Sequence, residues 1–223
     1  MTSKKRKTAP EEPFKEALLK TGSQFVADYL GPKWFPEWTH PKTGDIYSIE
    51  LEKAADIKPD DLLTCFDLIK ETSLKDYESS RDGWHPAKKK TEMKSPELRY
   101  VLVKDKSAAI RGFTSLMPTF EQGQPVIYCY EIHLKPELQG TGLASLLMGF
   151  HVEIARNLPP ITKVMLTAFL ANQHAVKFYK KLGFEQDPIS PVPRKLRFGK
   201  IFTPDYMIMS KRVRADDDAG EAT

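Results

Sequence analysis

Two short stretches of this chain hold residues whose types and spacing can do chemistry. The first is Glu131, which closes the run Tyr128-Cys129-Tyr130-Glu131 inside an otherwise apolar segment. A carboxylate among such neighbours is unusual unless it is paired or functional, and as a functional group it is a general base, acting directly or through a water. The bland alternative is a salt bridge or an exposed strand end. The second is Gln139-Gly140-Thr141-Gly142-Leu143-Ala144, two glycines placed just before an apolar helix. A helix N-terminus carries unpaired N–H groups and partial positive charge, and glycine lets an anion approach the backbone closely. No Lys-Ser/Thr pair follows, so this is not a Walker loop, and the glycine spacing fails the dinucleotide fingerprint. By itself the glycine pair is equally compatible with a tight turn.

These residues need elements to position them. Val126–Leu134 reads as a strand, with Tyr100–Val103 and Ile110–Met117 before it. A period of two puts Ile127, Cys129 and Glu131 on one face unless a bulge resets the register. After the glycines, Leu143, Leu146, Leu147, Phe150 and Ile154 form one apolar helical face, ended by Leu158-Pro159-Pro160. Val164–Phe169 reads as a buried strand. Asn172 starts a further helix with Ala175, Phe178, Tyr179 and Leu182 inward and Gly183 at its C-terminus. Tyr206–Met209 is the last strand.

Upstream, Phe14 to Leu30 has roughly helical spacing, interrupted by Gly22. Residues 33–44 read as a packed loop and Ile46–Leu51 as a strand. A helix opens at Pro59-Asp60-Asp61 and carries Leu62, Leu63, Phe66 and Ile69. The polar stretch 79–97, with Lys88-Lys89-Lys90, reads as an exposed connection. Residues 187–204 are a proline-rich loop long enough to be functional. Strands in series followed by helix, strand, helix, strand make an α/β chain with a mixed sheet.

The pattern Gln-x-x-Gly-x-Ala after a strand, then Asn172, Phe178-Tyr179 and Gly183-Phe184, resembles the GCN5-related N-acetyltransferase (GNAT) family. That resemblance implies the GNAT fold, a mostly antiparallel mixed sheet flanked by helices. It also implies acetyl-CoA as cosubstrate, with its pyrophosphate on the amides of the turn and its thioester where two strands splay apart. The implied cofactor-binding residues are Ile132, His133, Leu134, Gln139, Gly140, Thr141, Gly142, Leu143, Ala144, Ser145 and Asn172. For Asn172, a helix cap is the equal alternative.

Tyr128-Cys129-Tyr130-Glu131 and Val164–Phe169, with Tyr77, Trp84 and Tyr206, look like the N-alpha-acetyltransferase D (NatD) family. That likeness implies acetylation of the α-amine of histone tails beginning Ser-Gly-Arg-Gly, by direct attack on the thioester. Glu131 becomes the general base, and Tyr77, Trp84, Tyr130, Thr167 and Tyr206 line the peptide site. Glu121 engages the arginine of the tail. The family's second acid is Thr119 here, and a tryptophan expected two residues before Trp84 is Asp82, which is placed to supply the missing negative charge. Cys129 is then a packed thiol, and Tyr179 is either core or the acid for the leaving thiolate. An α-amine has a pKa near ~8 against ~10.4 for a lysine, about 3.3 kcal/mol less to deprotonate, so positioning matters more than a strong base.

Composition sets the remaining expectations. With 223 residues and 40% hydrophobic content, the chain suits one domain with extensions. The expected divisions are a disordered basic tail (1–12), an N-terminal extension packed on the core (13–58), the acetyltransferase domain (59–213) and a disordered acidic end (214–223). Six cations against three acids in residues 1–20 account for most of the net charge of +4, so the folded part is near neutral. Lys4-Lys5-Arg6-Lys7 is a nuclear import signal, a ribosomal RNA contact or merely a solvated tail. Two cysteines, no zinc spacing and no secretory h-region point to an intracellular protein without metal; a monomer in cytoplasm and nucleus is the further expectation. The expected partners are histone N-terminal peptides and the ribosome, without membrane or sequence-specific nucleic acid. The rival readings are an acetyltransferase of lysines or small amines, and a non-catalytic chromatin- or ribosome-binding module.

Overall fold

The computed structural model describes residues 12–213 except 196 and 200. The expected basic tail and acidic end lie outside the described residues, save Glu12. The first expected helix is two: α1 (Glu12–Leu19) and α2 (Gly22–Tyr29). Thr21 separates them through a capping box with Gln24, and a Cβ on Gly22 would meet the carbonyl oxygen of Leu51 at 2.3 Å. Arg99 fastens this corner. Its guanidinium donates to the carbonyls of Ala17 and Lys20, 2.8 Å each, and lies 4.0 Å over the ring of Phe25.

The strands that follow are β1 (Glu37–Thr39), β2 (Ile46–Lys53), β3 (Arg99–Lys104), β4 (Ile110–Glu121), β5 (Gln124–Leu134), β6 (Lys163–Phe169), β7 (Glu185–Gln186) and β8 (Tyr206–Arg212). They form one sheet in the order β1-β2-β3-β4-β5-β6-β8-β7. Every neighbouring pair is antiparallel except β5 with β6, the pair joined by the crossover helix α5 (Leu143–Asn157). β1 falls in the stretch expected to be a loop. β2 pairs with β3 over six residue pairs, so residues 13–58 contribute strands to the sheet itself.

Helices cover both faces. On one, α1, α2, α5 and α6 (Gln173–Lys181) enclose Phe25, Val101, Leu116, Cys129, Leu147 and Tyr179. On the other, α3 (Pro59–Ser79) and α4 (Pro86–Met93) enclose Phe66, Ile69, Met93, Tyr100, Phe113 and Met117. Leu63 of α3, expected inward, is 49% exposed. Helix α4 replaces the expected exposed connection. Pro86 opens it at the first turn, where a missing N–H costs nothing. Its three lysines and single buried apolar residue, Met93, give it no apolar stripe to read in the sequence.

Candidate active site

Two irregularities in the sheet create the site. The first is a bulge in β5. Leu116 pairs with Cys129 and Ser115 with Glu131, so two residues of β5 advance for one of β4, and Tyr130 is the extra residue. The bulge overturns the expected shared face. Cys129 points to α5, its sulfur 3.9 Å from that of Met148, whereas Glu131 faces α3 and α4. Burial pushes the Cys129 thiol up to about 12, consistent with packing rather than reactivity.

The second irregularity is the parting of β5 from β6. Their pairing runs from Val126 with Lys163 to Cys129 with Leu166 and stops there. Beyond it, Tyr130–Leu134 and Thr167–Phe169 diverge. A cavity of about 120 Å³ opens between them, lined by Tyr77, Tyr130, Glu131, Ile132, His133, Thr167, Phe169, Asn172 and Tyr179. Seven expected site residues are thus gathered from α3, β5, β6 and the start of α6. Tyr179 is buried, and burial raises its phenol so that the proton stays on.

Glu131 is held at both oxygens. Lys89 of α4 donates to Oε1 at 2.8 Å, and His133 Nε2 lies 2.5 Å from Oε2. Burial favours the neutral acid, but the hydrogen bond and charge of His133 and the charge of Lys89 prevail and hold the carboxyl down at about 2. His133 Nδ1 meets Thr72 Oγ1 of α3 at 2.6 Å. Burial, then the charge of Glu131, pushes Tyr77 up to about 12. Tyr77 packs against Trp84 and Phe169 with ring centroids 5.0 and 4.9 Å apart. Trp84 thus supports the cavity wall without lining it.

The glycine turn stands as the sequence suggests. Gly140 and Gly142 have φ of 70° and 91°, and Gly142 occupies the N-cap of α5 with no side-chain cap. The first N–H groups of α5 therefore have no intrahelical acceptor. A Cβ at either glycine would meet nothing within 4 Å, so the space above the amides is open. Gln139 and Thr141 turn inward, donating to the carbonyls of Leu134 and Leu138 at 3.0 and 2.6 Å, which leaves the main chain as the anion-facing surface. An uncapped amide turn leading to a parted strand pair fits the diphosphate and thioester arm of acetyl-CoA. Leu134 and Leu143 are buried in the core, and Ser145 lines a separate groove on the outside of α5.

Other expected residues are placed differently. The Asn172 side chain caps α6 by accepting from the Ala175 amide, and it donates to Asp76 of α3, both at 3.0 Å. It thereby ties together the two faces across the gap. Tyr206 pairs with Phe169 at the rim and is 37% exposed. Thr167 accepts or donates a 2.6 Å bond with Tyr128. Glu121 is not in the cavity: it pairs with Gln124 at the far end of the β4–β5 hairpin. Its charge still acts on Tyr128 and Tyr130, whose pKa values it helps burial to raise. Asp82 is 81% exposed beside Lys88. Arg81 donates to the carbonyl of Thr203 at 3.1 Å, joining the 187–204 segment to the connection between α3 and α4.

Sequence reasoning missed Lys89, Thr72 and Asp76. For Lys89 a signal existed: Pro86 followed by Lys89-Lys90 and Met93 at helical spacing. Among the described residues, no group of three His, Cys, Asp or Glu side chains is placed to hold a metal ion. Among them, no helix is long and apolar enough to cross a membrane.

The profile of the acetyltransferase (GNAT) family matches residues 62–184. N-alpha-acetyltransferase 40 of Saccharomyces cerevisiae is 34% identical over 131 residues, which are 51% of this chain and 45% of the yeast protein. The match thus spans under half of that relative. Arabidopsis thaliana NAA60, solved with a bisubstrate analogue, superposes with a TM-score of 0.52 at 12% identity, covering 74% of this chain and 98% of that one. The ribosomal-protein-S18-alanine N-acetyltransferase of Escherichia coli superposes with a TM-score of 0.50 at 13% identity, covering 78% and 99%. At such identities the two structures speak to the fold alone.

Proposed function

The chain belongs to the acetyltransferase (GNAT) family, and from that premise we propose that it is an N-alpha-acetyltransferase acting on peptide N-termini. The preferred acceptors are histone tails beginning Ser-Gly-Arg-Gly, and acetyl-CoA is the donor. The observation that carries this reading is the single cavity at the β5–β6 parting. It sets the Glu131 carboxylate beside the aromatic rings of Tyr77, Tyr130 and Phe169, and the uncapped amide turn follows the same strand, β5, at the start of α5. The yeast relative, named as an N-alpha-acetyltransferase, supports the acceptor class.

Acetyl-CoA supplies the activated acyl group. The amides of 142–145 hold its diphosphate, and Gln139 and Thr141 keep that turn rigid through their carbonyl bonds. Main-chain N–H groups of β5 beyond Cys129, freed from β6, steady the oxyanion. As the amine attacks, its nitrogen bonds to the acyl carbon and becomes far more acidic than a free ammonium. Glu131 takes that proton. Because Glu131 takes the proton only once the nitrogen has bonded, the acceptor must arrive as a free amine, a condition that an α-amine meets more readily than a lysine side chain. The carbon–sulfur bond then breaks, and the departing thiolate takes its proton from solvent, while the Tyr179 phenol, raised by burial, keeps its own. Tyr77, Tyr130, Thr167 and Tyr206, with Trp84 behind them, frame the incoming tail. Glu121, placed outward, steers its arginine by charge, and Asp82 adds to that field. Histone tails and the basic run Lys4–Lys7 imply work in both nucleus and cytoplasm.

Mass spectrometry of peptides incubated with acetyl-CoA tests the reading. A Ser-Gly-Arg-Gly peptide should gain one acetyl group on its α-amine. A peptide with a blocked α-amine and internal lysines should gain none; continued turnover there would favour a lysine acetyltransferase.

A further inference from the structure

Three consecutive lysines open α4, and their environments differ. Lys88 is 72% exposed, whereas the Lys89 side chain is 11% exposed. Lys90 lies 4.6 Å over the ring of Phe66. Lys89 alone reaches inward, 2.8 Å from Glu131 Oε1 and 2.6 Å from Glu92 Oε1, with its nitrogen 5.3 Å from the centre of Tyr77. Lys89 does not line the cavity that exposes Glu131; it approaches the carboxylate from behind. A surface lysine would not give up hydration in this way, so the contact is built.

The other oxygen is built as firmly. A carboxylate only accepts, so His133 Nε2 carries a hydrogen and donates to Oε2. Thr72 Oγ1 sits 2.8 Å from the Leu68 carbonyl and 2.6 Å from His133 Nδ1, and this fixes the ring whichever way the hydroxyl hydrogen points. We propose that Lys89 is the positioning residue of the acetyl-transfer site: α4 delivers its ammonium behind Glu131 so that this buried carboxylate stays ionised and faces the β5–β6 parting. The assignment rests on the proposed reaction for its purpose, but its electrostatic part stands without substrate.

The groups that face Glu131 come from every surrounding element. They are Lys89 and Glu92 from α4, Tyr77 from α3, Tyr100 from β3, Tyr130 and His133 from β5, and Tyr179 from α6. Only Lys89 among them is a permanent cation, and the nearby carboxylate keeps its pKa raised despite burial. With Lys89 neutralised, only the bond and charge of His133 still oppose burial, and the Glu131 carboxyl rises from its depressed value.

Lys89→Met, Lys89→Arg and the double variant Lys89→Met/Glu131→Gln decide the matter. In wild type and K89R, log kcat/KM on the Ser-Gly-Arg-Gly peptide should rise with unit slope up to the substrate amine's pKa near ~8. In K89M the slope should steepen toward two at the acid end of the profile, an added loss at pH 5 relative to pH 8 that K89R does not show. A uniform drop in K89M with the slope still one would overturn the proposal and leave Lys89 a packing residue. Without substrate, K89M should lose stability relative to the double variant as pH rises from 5 to 8, because only K89M must ionise a buried carboxyl that has lost its cation. Parallel stability curves would also overturn it. Should K89M not fold, Lys89→Gln carries the same comparison. Absence of peptide acetylation by wild type would sink the functional reading, and the substrate-free curves would still decide whether Lys89 holds Glu131 ionised.

Discussion

Cys129 and Glu131 stand two residues apart on one strand and point to opposite faces of the sheet. The cause is the extra residue Tyr130, which lets Leu116 pair with Cys129 and Ser115 with Glu131. Without the bulge, the carboxylate would enter the core beside Met148. With it, the carboxylate meets Lys89 and His133 and borders the cavity.

The ionised, partnered state of Glu131 makes stability depend on acid. Its folded pKa, about 2, lies below the ordinary carboxyl value of 4.5. The stabilisation is therefore fully present above pH 4.5 and is lost as pH falls toward 2. At ~1.4 kcal/mol per unit, it amounts to about 3 kcal/mol. Acid titration of unfolding free energy should show this loss in wild type and a curve flatter by that amount in Glu131→Gln.

Gly142 tests the turn. At φ 91° an alanine is strained by ~1–2 kcal/mol, and relief of that strain would rotate the free amides. Calorimetry should find coenzyme A bound at least tenfold more weakly by Gly142→Ala, with the fold retained by circular dichroism. Unchanged affinity would mean that these amides do not hold the diphosphate.

Gly149 is the internal control on the same helix. It lies in the middle of α5, and an added Cβ would meet nothing within 4 Å. Gly149→Ala should stabilise the protein by roughly 0.5–1 kcal/mol through helix propensity, read as a higher melting temperature with coenzyme affinity unchanged.

Ser115 offers a test of the bulge's polar side. Its hydroxyl is buried, and among the described residues it has no hydrogen-bond partner. An unsatisfied buried hydroxyl costs ~1–3 kcal/mol, so Ser115→Ala should leave the urea midpoint unchanged or raise it. A large loss would reveal that the hydroxyl is bonded in solution.

The sequence made the glycine turn, the apolar face of α5, the order of strands β3 to β6 and the chemical promise of Glu131 legible, because each is a local pattern. The bulge at Tyr130 was not legible, since it depends on how β4 pairs with β5 and has no glycine or proline to mark it. Lys89 was hidden for a different reason. Its neighbours Lys88 and Lys90 make the run look solvated, and only the seating of α4 on the sheet shows that the middle lysine is buried. Glu121 illustrates the converse: a residue ten positions before Glu131 was expected beside the tail's arginine, yet the hairpin carries it to the far end of the strands.

Single-turnover acetylation of a Ser-Gly-Arg-Gly peptide by wild type and Glu131→Gln, with coenzyme affinity measured on the same samples, tests the central claim most directly. The account predicts equal affinity and a ~10²–10⁴-fold slower transfer in the variant, the range for loss of a general base. Equal transfer rates in the two proteins would contradict it.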